Sequence, residues 1–349
     1  MTTATRTAPA SDAGVRQTRT RRRVFGLIVS LVLLTSLCVL SVVVGSAALP
    51  LDVVWQAFVA PDGSVSQVTV TSARVDRTVL GILVGAALGI SGALIQALTR
   101  NPLADPGILG VNAGAGFAVT LAVAFLGITR IDQYLPFAFV GAIAASALVY
   151  LAAGAGRGSG SPVRLTLVGV AFAAVLTGFS HTLALIDTET FDRMRFWGAG
   201  TLADRPAGTI DAILVPFALG LLIAAFCVRP LNALALGEDT ARAVGVRLGA
   251  TRVGVVLAVA LLCGAATAAA GPLVFVGLVI PHAVRWITGP DWIWITLYSA
   301  VLAPALVLSA DILGRIVVIP AELQVGVVLP LIGAPVLIAL VRGRKAKAL

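Results

Sequence analysis

The sequence predicts an all-α, polytopic membrane protein, and three observations support that fold class. Of the 349 residues, 58% are hydrophobic and only 12% are charged, so too few polar side chains exist to cover a soluble fold of this size. The mean hydropathy is +1.01. The apolar residues also lie in runs of about 20 residues, which are long enough to cross a hydrocarbon core as helices.

Ten of these apolar runs are predicted to span the membrane. In chain order they are 24–46, 78–98, 107–127, 134–154, 164–186, 210–228, 253–270, 272–288, 292–312 and 325–342. The eighth run gives the weakest prediction because it is short and contains Pro281, His282 and Arg285. Residues 1–23 are predicted to form a basic, disordered tail, followed by a single transmembrane domain over residues 24–349.

The distribution of positive charge predicts that both termini are cytoplasmic. If the N-terminus is inside, the inside segments hold 18 of the 25 Lys and Arg residues and the outside segments hold 7. Short cytoplasmic loops of membrane proteins carry such an excess. The topology therefore accounts for the net charge of +9, and no nucleic-acid partner is inferred. Arg21-Arg22 is not interpreted as an export signal, because the following apolar run is too long and nine more follow.

The scarcity of lysine, cysteine and histidine excludes several kinds of site. Both lysines, Lys345 and Lys347, lie at the C-terminus, so the chain lacks the Lys that a P-loop requires and another polypeptide must hydrolyse any ATP. Three cysteines set within or beside spans predict neither a disulfide framework nor a metal cluster. His282 has no histidine or cysteine partners nearby, which favours a structural hydrogen bond over metal or haem ligation.

A polar segment between the sixth and seventh spans, residues 229–252, is predicted to contact a cytoplasmic partner. Its centre predicts a short helix between Gly237 and Gly245, with Glu238 in the first turn, where the helix dipole favours acidic groups. Glu238 can pair with Arg242 four residues later. No nucleophile, metal cluster or acid–base pair lies nearby, so docking is favoured over chemistry. A passive, solvated connector is the alternative.

The second span and the turn after it carry two further patterns. Gly81, Gly85 and Gly89 recur every four residues, a small-residue stripe that lets helices approach closely, and packing within this subunit is favoured over packing between subunits. Beyond this span, two prolines in the segment 100–106 stop helix propagation, and Asp105 is placed to cap the next helix. The segment is therefore predicted to form a sharp turn.

These motifs resemble those of permease subunits of ABC importers for iron-siderophores, haem and vitamin B12, the large type II importers. The stretches that carry the resemblance are 96–114, 237–245, 271–285 and 310–315, with Glu322, Gly326 and 333–335. The resemblance as a whole spans roughly residues 50–342. One departure is Gln324, which follows Glu322-Leu323 where the family usually has a proline.

The resemblance implies the type II importer permease fold, in a bacterial cytoplasmic membrane and paired with an identical or a sister permease. Implied partners are two separate ATPase subunits, which hold ATP and magnesium, and an extracytoplasmic substrate-binding protein. The chain itself is expected to be no enzyme and to bind no cofactor. The implied cargo is a ferric siderophore or related metal chelate, with vitamin B12 and haem as alternatives.

A secondary transporter driven by an ion gradient is the main alternative from a different class. Such a mechanism generally needs an ionisable side chain deep within a span. Nearly all carboxylates of this chain lie in loops or at the ends of spans, which disfavours it. A membrane enzyme is disfavoured because no convergent catalytic set is present.

The resemblance also implies roles for individual residues. ATPase coupling falls on Gly237, Glu238, Asp239, Ala241, Arg242 and Gly245. Docking of the binding protein falls on Arg74, Arg77 and Arg315, although interfacial anchoring beside Asp76 is an alternative for the first two. The family's turn motif comprises Arg100, Asn101, Pro102, Asp105 and Pro106. The external gate falls on Trp197, Gly198 and Gly200, and the polar residues Ser180 and His181 in the fifth span are candidates for the pathway.

Overall fold

The structure is a computed structural model that describes residues 12–128, 130–154 and 162–345, and these residues form helices without strands. The helices are α1 (Asp12–Val43), α2 (Leu51–Val59), α3 (Val65–Val68), α4 (Val75–Thr99), α5 (Val111–Leu126), α6 (Ile131–Gly154), α7 (Pro162–Ile186), α8 (Thr188–Gly198), α9 (Thr209–Leu234), α10 (Glu238–Ala243), α11 (Leu248–Ala270), α12 (Val276–Thr288), α13 (Trp292–Val317) and α14 (Val325–Lys345). A π-helical segment, Thr69–Arg74, joins α3 to α4, and a 3-10 helix, Pro106–Leu109, precedes α5.

The ten predicted spans are confirmed as helices. Seven helices in the described ranges are long and apolar enough to cross a membrane, and three shorter apolar helices, Val111–Leu126, Val276–Thr288 and Val325–Ala339, supply the others. The eighth and weakest prediction corresponds to α12, which is only 13 residues long. The chain before it, from Gly271, is non-helical, so α12 starts later than the predicted span.

The first helix begins at Asp12, whereas the first predicted span begins at residue 24. Residues 12–23 of the predicted disordered tail are therefore helical. The rest of that tail, residues 1–11, lies outside the described residues. Arginine, which is frequent here, is a good helix former. Arg23 is also fixed by tertiary contacts: its Nη1 lies 3.2 Å from Asp291 Oδ2, and the Tyr298 hydroxyl donates to its carbonyl oxygen. Local propensity and these contacts extend the helix towards the N-terminus.

The glycine stripe of α4 packs within this chain, as predicted. A Cβ atom added to Gly85 would lie 2.5 Å from Pro304 Cα, and one added to Gly89 would lie 2.5 Å from the Ser299 carbonyl oxygen. Both neighbours are backbone atoms of α13, so only glycine permits this approach. As a result α4 lies at the centre of the bundle, and most of its residues are buried.

The bundle has two ends that position the candidate sites. One end, called the α10 end, carries α10 and the C-terminus of α4. The contact between Arg100 and Glu238 places these two elements together. The other end carries α8 and the C-terminus of α1, where Arg74 contacts the carbonyl oxygen of Val43. The α8 end holds the outer arginines and the Trp197 segment. Each candidate site therefore lies at one end of the bundle or just below it.

Candidate functional site

At the α10 end, the predicted short helix between Gly237 and Gly245 is confirmed as α10. Gly237 has φ of 116° and Gly245 has φ of 84°, values that glycine adopts more readily than any other residue. The polar segment is shorter than predicted, because α9 continues to Leu234 and α11 begins at Leu248. Arg229 and Arg252, the predicted limits, therefore lie within helices.

The apolar side chains around α10 divide into an inner and an outer set. Ala241 is fully buried against the bundle, and Leu234 is also buried. Leu236 and Val244, which flank α10 on either side, are 73% and 66% exposed. α10 is therefore fixed from below and has an open aliphatic side chain at each of its ends.

Glu238, the first residue of α10, is the centre of an arginine network. Its Oε1 lies 3.0 Å from Arg100 Nη2 and 2.8 Å from Arg252 Nη2, and its Oε2 lies 3.7 Å from Arg242 Nη2. The Glu238–Arg242 pair was predicted from spacing. Arg100 comes from the turn after α4 and Arg252 from α11, so the network fastens α10 to two long helices. Sequence spacing gives no indication of a pair between residues 100 and 238.

The turn motif has the predicted local geometry. Asp105 Oδ1 accepts a hydrogen bond from Gly107 N at 2.8 Å, and Pro106 occupies the first position of the helix that Asp105 caps. Asn101 Oδ1 accepts from Leu103 N at 3.0 Å. His282 Nδ1 lies 3.3 Å from the Pro102 carbonyl oxygen, which confirms the structural hydrogen bond predicted for this histidine. The turn is thereby held against α12.

At the α8 end, Arg74 and Arg315 lie inside the protein rather than on its surface. Arg315 is 1% exposed and Arg74 is 5% exposed. Both guanidinium groups donate to carbonyl oxygens at the C-terminal end of α1; the acceptors are Val42, Val43 and Ala47 for Arg74, and Ser41 and Val44 for Arg315. These carbonyls lack helical partners, so the two arginines cap α1. Predicted docking through exposed guanidinium groups does not fit this arrangement.

Arg77 is the third predicted docking residue, and it also has internal partners. Its Nη2 lies 2.7 Å from Asp311 Oδ1, and its Nη1 lies 2.7 Å from Glu322 Oε2. Asp311 is paired with Arg315 as well. Among the described residues neither Arg74 nor Arg77 forms an ion pair with Asp76, and the anchoring alternative stays a prediction. The two pairings of Arg77 cross more than 200 positions of sequence, and no local pattern predicts them, whereas Asp311 and Arg315 stand four residues apart on α13.

Glu322 lies in the chain segment between α13 and α14 and connects that segment to the ion-pair cluster of Arg77, Asp311 and Arg315. Burial acts to raise the pKa of Glu322, but hydrogen bonds from Ser46 and Arg77 outweigh it, so the pKa of this carboxyl lies below its ordinary value. The charged form is therefore the one that the cluster stabilises. Leu323 N also donates to the Gly314 carbonyl oxygen at 2.9 Å, which fixes the segment despite the missing family proline at Gln324.

The Trp197 segment is held between α11 and α14. Trp197 is buried, and Gly200 has φ of 66°. Gly326 N donates to the Gly200 carbonyl oxygen at 3.0 Å, and Thr201 N donates to the Ala270 carbonyl oxygen at 2.8 Å. A Cβ atom at Gly200 would meet the Pro272 carbonyl oxygen at 2.7 Å, whereas Gly198 lies in open space. The gate role of this segment stays a prediction.

Two cavities share Trp197 as a wall. The His181 cavity, of ≈ 510 Å³, brings the predicted pathway residues Ser180 and His181 together with Trp197 and Gly198. The Arg205 cavity, of ≈ 480 Å³, lies towards the outer arginines and is lined by Arg77, Arg193 and Arg205 among others. Sequence analysis missed Arg205. Its position four residues after the Trp197-to-Thr201 motif is the clue that could have identified it.

The described residues include no group of three or more His, Cys, Asp or Glu side chains placed to hold a metal ion. The cysteines Cys38, Cys227 and Cys263 are free thiols, and the latter two are buried. Within the described ranges the polar side chains at both ends of the bundle hold helices together by ion pairs and hydrogen bonds. These contacts are structural, since they fasten one helix or turn to another.

Comparison with known proteins identifies the family. The FecCD transport family matches residues 31–343. The chain is 47% identical over 317 residues to the ferric enterobactin transport system permease protein FepD of Escherichia coli (strain K12), covering 91% of this chain and 94% of FepD. It is 35% identical over 271 residues to the hemin transport system permease protein HmuU of Yersinia pestis, covering 75% and 81%. A solved metal-chelate-type ABC transporter in an inward-facing conformation has a TM-score of 0.80 and 27% identity over 91% of this chain and 98% of its own. Since the match extends over nearly the whole of this chain and of its relatives, the chain belongs to the FecCD transport family and is a permease subunit of an ABC importer.

Proposed function

We propose that this permease carries a ferric siderophore into the cytoplasm. The observation that carries this proposal is the 47% identity to the ferric enterobactin permease FepD over 91% of the chain. A second relative, the iron(3+)-hydroxamate import permease FhuB of Bacillus subtilis (strain 168), is 38% identical over 326 residues. Haem is the second candidate, because HmuU is 35% identical. Vitamin B12 gains no support from these relatives.

The α10 surface is proposed as the contact with the ATPase. ABC importer permeases work with ATPase and binding-protein partners, and here we propose two ATPase subunits that hold ATP and magnesium. Leu236 and Val244 are exposed, while Ala241 and Glu238 fix α10 to the bundle. A movement of the ATPase against this surface would thus be passed to α4 and α11. The alternative of a passive connector fits less well, because a connector needs no such network.

Membrane orientation follows from the same assignment. The protein is a multi-pass protein of the inner membrane, and we propose that the α10 end and both termini face the cytoplasm, which agrees with the excess of Lys and Arg on that side. The α8 end would then face the binding protein. A second permease subunit, identical or related, is proposed to pack beside this one. The exposed apolar side chains of α7, such as Val175 and Phe179, would face that subunit or lipid.

We also propose roles for the residues at the α8 end. Arg74, Arg77 and Arg315 are proposed as internal fasteners of α1, α4 and α13, because their donors are already engaged in this chain. Trp197, Gly198 and Gly200 are proposed as the external gate. Ser180 and His181 are proposed to line the pathway through the His181 cavity, on the other side of Trp197 from the Arg205 cavity.

Growth on single iron sources tests the cargo. A strain that lacks this permease should fail to grow when a ferric siderophore is the iron source and should grow normally on ferrous iron salts. Haem as the iron source separates the two candidates. Normal growth of the deletion strain on the siderophore, together with failure on haem, would assign the haem function instead.

A further inference from the structure

Among the described residues Arg205, like Arg74, lacks a carboxylate partner, but its guanidinium group reaches only two carbonyl oxygens, whereas that of Arg74 reaches three. The Nε and Nη2 of Arg205 donate to the Thr201 carbonyl oxygen at 3.1 and 2.9 Å, and Nη2 also reaches the Ala270 carbonyl oxygen at 3.3 Å. Within the described residues no carboxylate lies within 4.0 Å of its guanidinium group, and Nη1 has no acceptor. Burial lowers the pKa of Arg205 to about 10, against a weaker opposing effect of Asp204.

A desolvated cation without a counter-ion is costly for the protein. Removing a guanidinium group from water is unfavourable unless an anion or several hydrogen bonds replace the lost hydration. Arg74, Arg77 and Arg315 meet this requirement within the chain, but Arg205 meets it only in part. The unengaged Nη1 is therefore placed to receive a negatively charged oxygen from outside the chain.

The cavity beside Arg205 is suited to such a ligand. The Arg205 cavity has a volume of ≈ 480 Å³ and is lined by three arginines but only two carboxylates, Asp204 and Glu322. Glu322 is already paired with Arg77. An adjoining cavity of ≈ 810 Å³ shares Arg205 as a wall, so a ligand has room to approach the guanidinium group from the α8 end.

Trp197 supplies a second, independent observation. It lines the Arg205 cavity and is 6% exposed, yet its indole Nε1 is buried and has no hydrogen-bond acceptor. A buried N–H without an acceptor costs about 1–3 kcal/mol. Like Arg205, this group would gain from a ligand that brings acceptor oxygens. Tyr134 and Phe196 add aromatic rings to the same wall.

We propose that the Arg205 cavity is a binding site for an anionic, oxygen-rich metal chelate, with Arg205 as its charged donor and Trp197 as a second donor. The site lies before Trp197 on the route from the α8 end to the His181 cavity. This inference deepens the proposed importer function and rests on it for the identity of the ligand. It gives the permease a charge preference of its own, besides that of the binding protein.

Direct binding to the permease–ATPase complex in lipid nanodiscs, without the binding protein, tests the site. The two probes are a ferric tris-catecholate, which carries several negative charges, and a ferric tris-hydroxamate, which is neutral. The wild-type complex should bind the catecholate more tightly, and the difference should shrink as salt rises. Arg205→Gln should raise the Kd for the catecholate about ten-fold and leave the Kd for the hydroxamate unchanged.

Three further variants make the result specific. Arg205→Lys keeps the charge and should retain most of the preference, which also covers the case in which Arg205→Gln does not fold. Trp197→Phe should raise the Kd for the catecholate by a few-fold. Arg22→Gln, which removes an exposed arginine at the α10 end, should change neither Kd. Equal affinity of the wild type for both probes, or an equal loss for both in Arg205→Gln, overturns the proposal.

A separate uptake assay distinguishes failure of the proposed Arg205 site from failure of the proposed importer function. If the complete wild-type importer takes up the chelate but shows no charge-dependent binding at Arg205, the binding site is wrong and the importer function stands. If charge-dependent binding is found but no ferric chelate is transported with ATP, the importer function is wrong and the anion site stands.

Discussion

Asp311 lies between the guanidinium groups of Arg77 and Arg315, and its side chain is buried with that of Arg315. Burying the charges of Asp311 and Arg315 costs free energy, and their mutual attraction offsets that cost. Removal of one partner would therefore leave an unpaired buried ion. Residue-scale analysis of the sequence recognised these arginines as important but placed them at the surface. Pairing across more than 200 positions depends on the fold, which local spacing does not determine.

Replacement of the shared carboxylate should be strongly destabilising. Asp311→Asn leaves Arg77 and Arg315 without their common counter-charge, and we expect a loss of about 3–5 kcal/mol in the free energy of unfolding. Thermal unfolding of the purified protein in detergent measures the change. Asp76→Asn, at an exposed position nearby, is the matched control and should cost less than about 0.5 kcal/mol. Equal unfolding temperatures for the two variants would contradict the buried pair.

The lowered pKa of Glu322 predicts a pH dependence of stability. Because the folded pKa lies below the ordinary value of 4.5, the contribution of Glu322 is complete above that value and disappears as the pH falls through the folded pKa. The gap in unfolding temperature between wild type and Glu322→Gln should therefore be constant near neutral pH and should close in acid. A gap that widens as the pH falls would show that the sign is wrong.

At the scale of the elements, the sequence predicted the features that depend on neighbouring residues but not the contacts between residues that are remote in sequence. Local features, such as the Asp105 cap, the glycines around α10 and the stripe of α4, follow from short-range chemistry and were predicted. The contact of Arg23 with Asp291, which helps to extend α1 towards the N-terminus, was missed because the two residues are remote in sequence. The Arg100–Glu238 pair, which links the turn motif to α10, was missed for the same reason.

The Arg100–Glu238 pair should contribute to coupling rather than to stability. Both side chains are partly exposed, so each pair contributes about 0–1 kcal/mol to folding. Arg100→Gln and Glu238→Gln should each lower ATP-driven uptake about five-fold while the ATPase still co-purifies. The double variant should be no worse than the more impaired single variant, because both changes break the same connection. Multiplicative losses in the double variant would show that the two residues act separately.

The close approach of α4 to α13 should not tolerate a side chain at Gly85. A Cβ atom there would lie 2.5 Å from Pro304 Cα, and backbone cannot move aside as a flexible side chain can, so Gly85→Val should destabilise by about 1–3 kcal/mol or more. Gly178→Ala in α7 is the control, since nothing lies within 4 Å of that position, and it should be neutral or slightly stabilising. Comparable losses in both variants would contradict the packing.

At the scale of the whole molecule, the fold class and the positions of the spans followed from the composition and length of the apolar runs, and the family from motifs. The Arg205 cavity could not be foreseen, because Arg77, Arg193 and Trp197 reach it from α4 and α8, whereas Arg205 lies in the loop after α8. The exposed helix α7 likewise indicates a covering that one chain does not supply. This chain is therefore one subunit of an ABC importer, and we propose that the energy of ATP hydrolysis enters it at α10.

The source of energy is the most direct test of this account. Proteoliposomes that contain the permease with its ATPase and binding protein are supplied either with ATP on the ATPase side and no ion gradient, or with an ion gradient and no ATP. Uptake of a radiolabelled ferric siderophore is then measured. We expect uptake with ATP alone and none with the gradient alone, whereas uptake that persists on the gradient after ATP is exhausted would contradict the central claim.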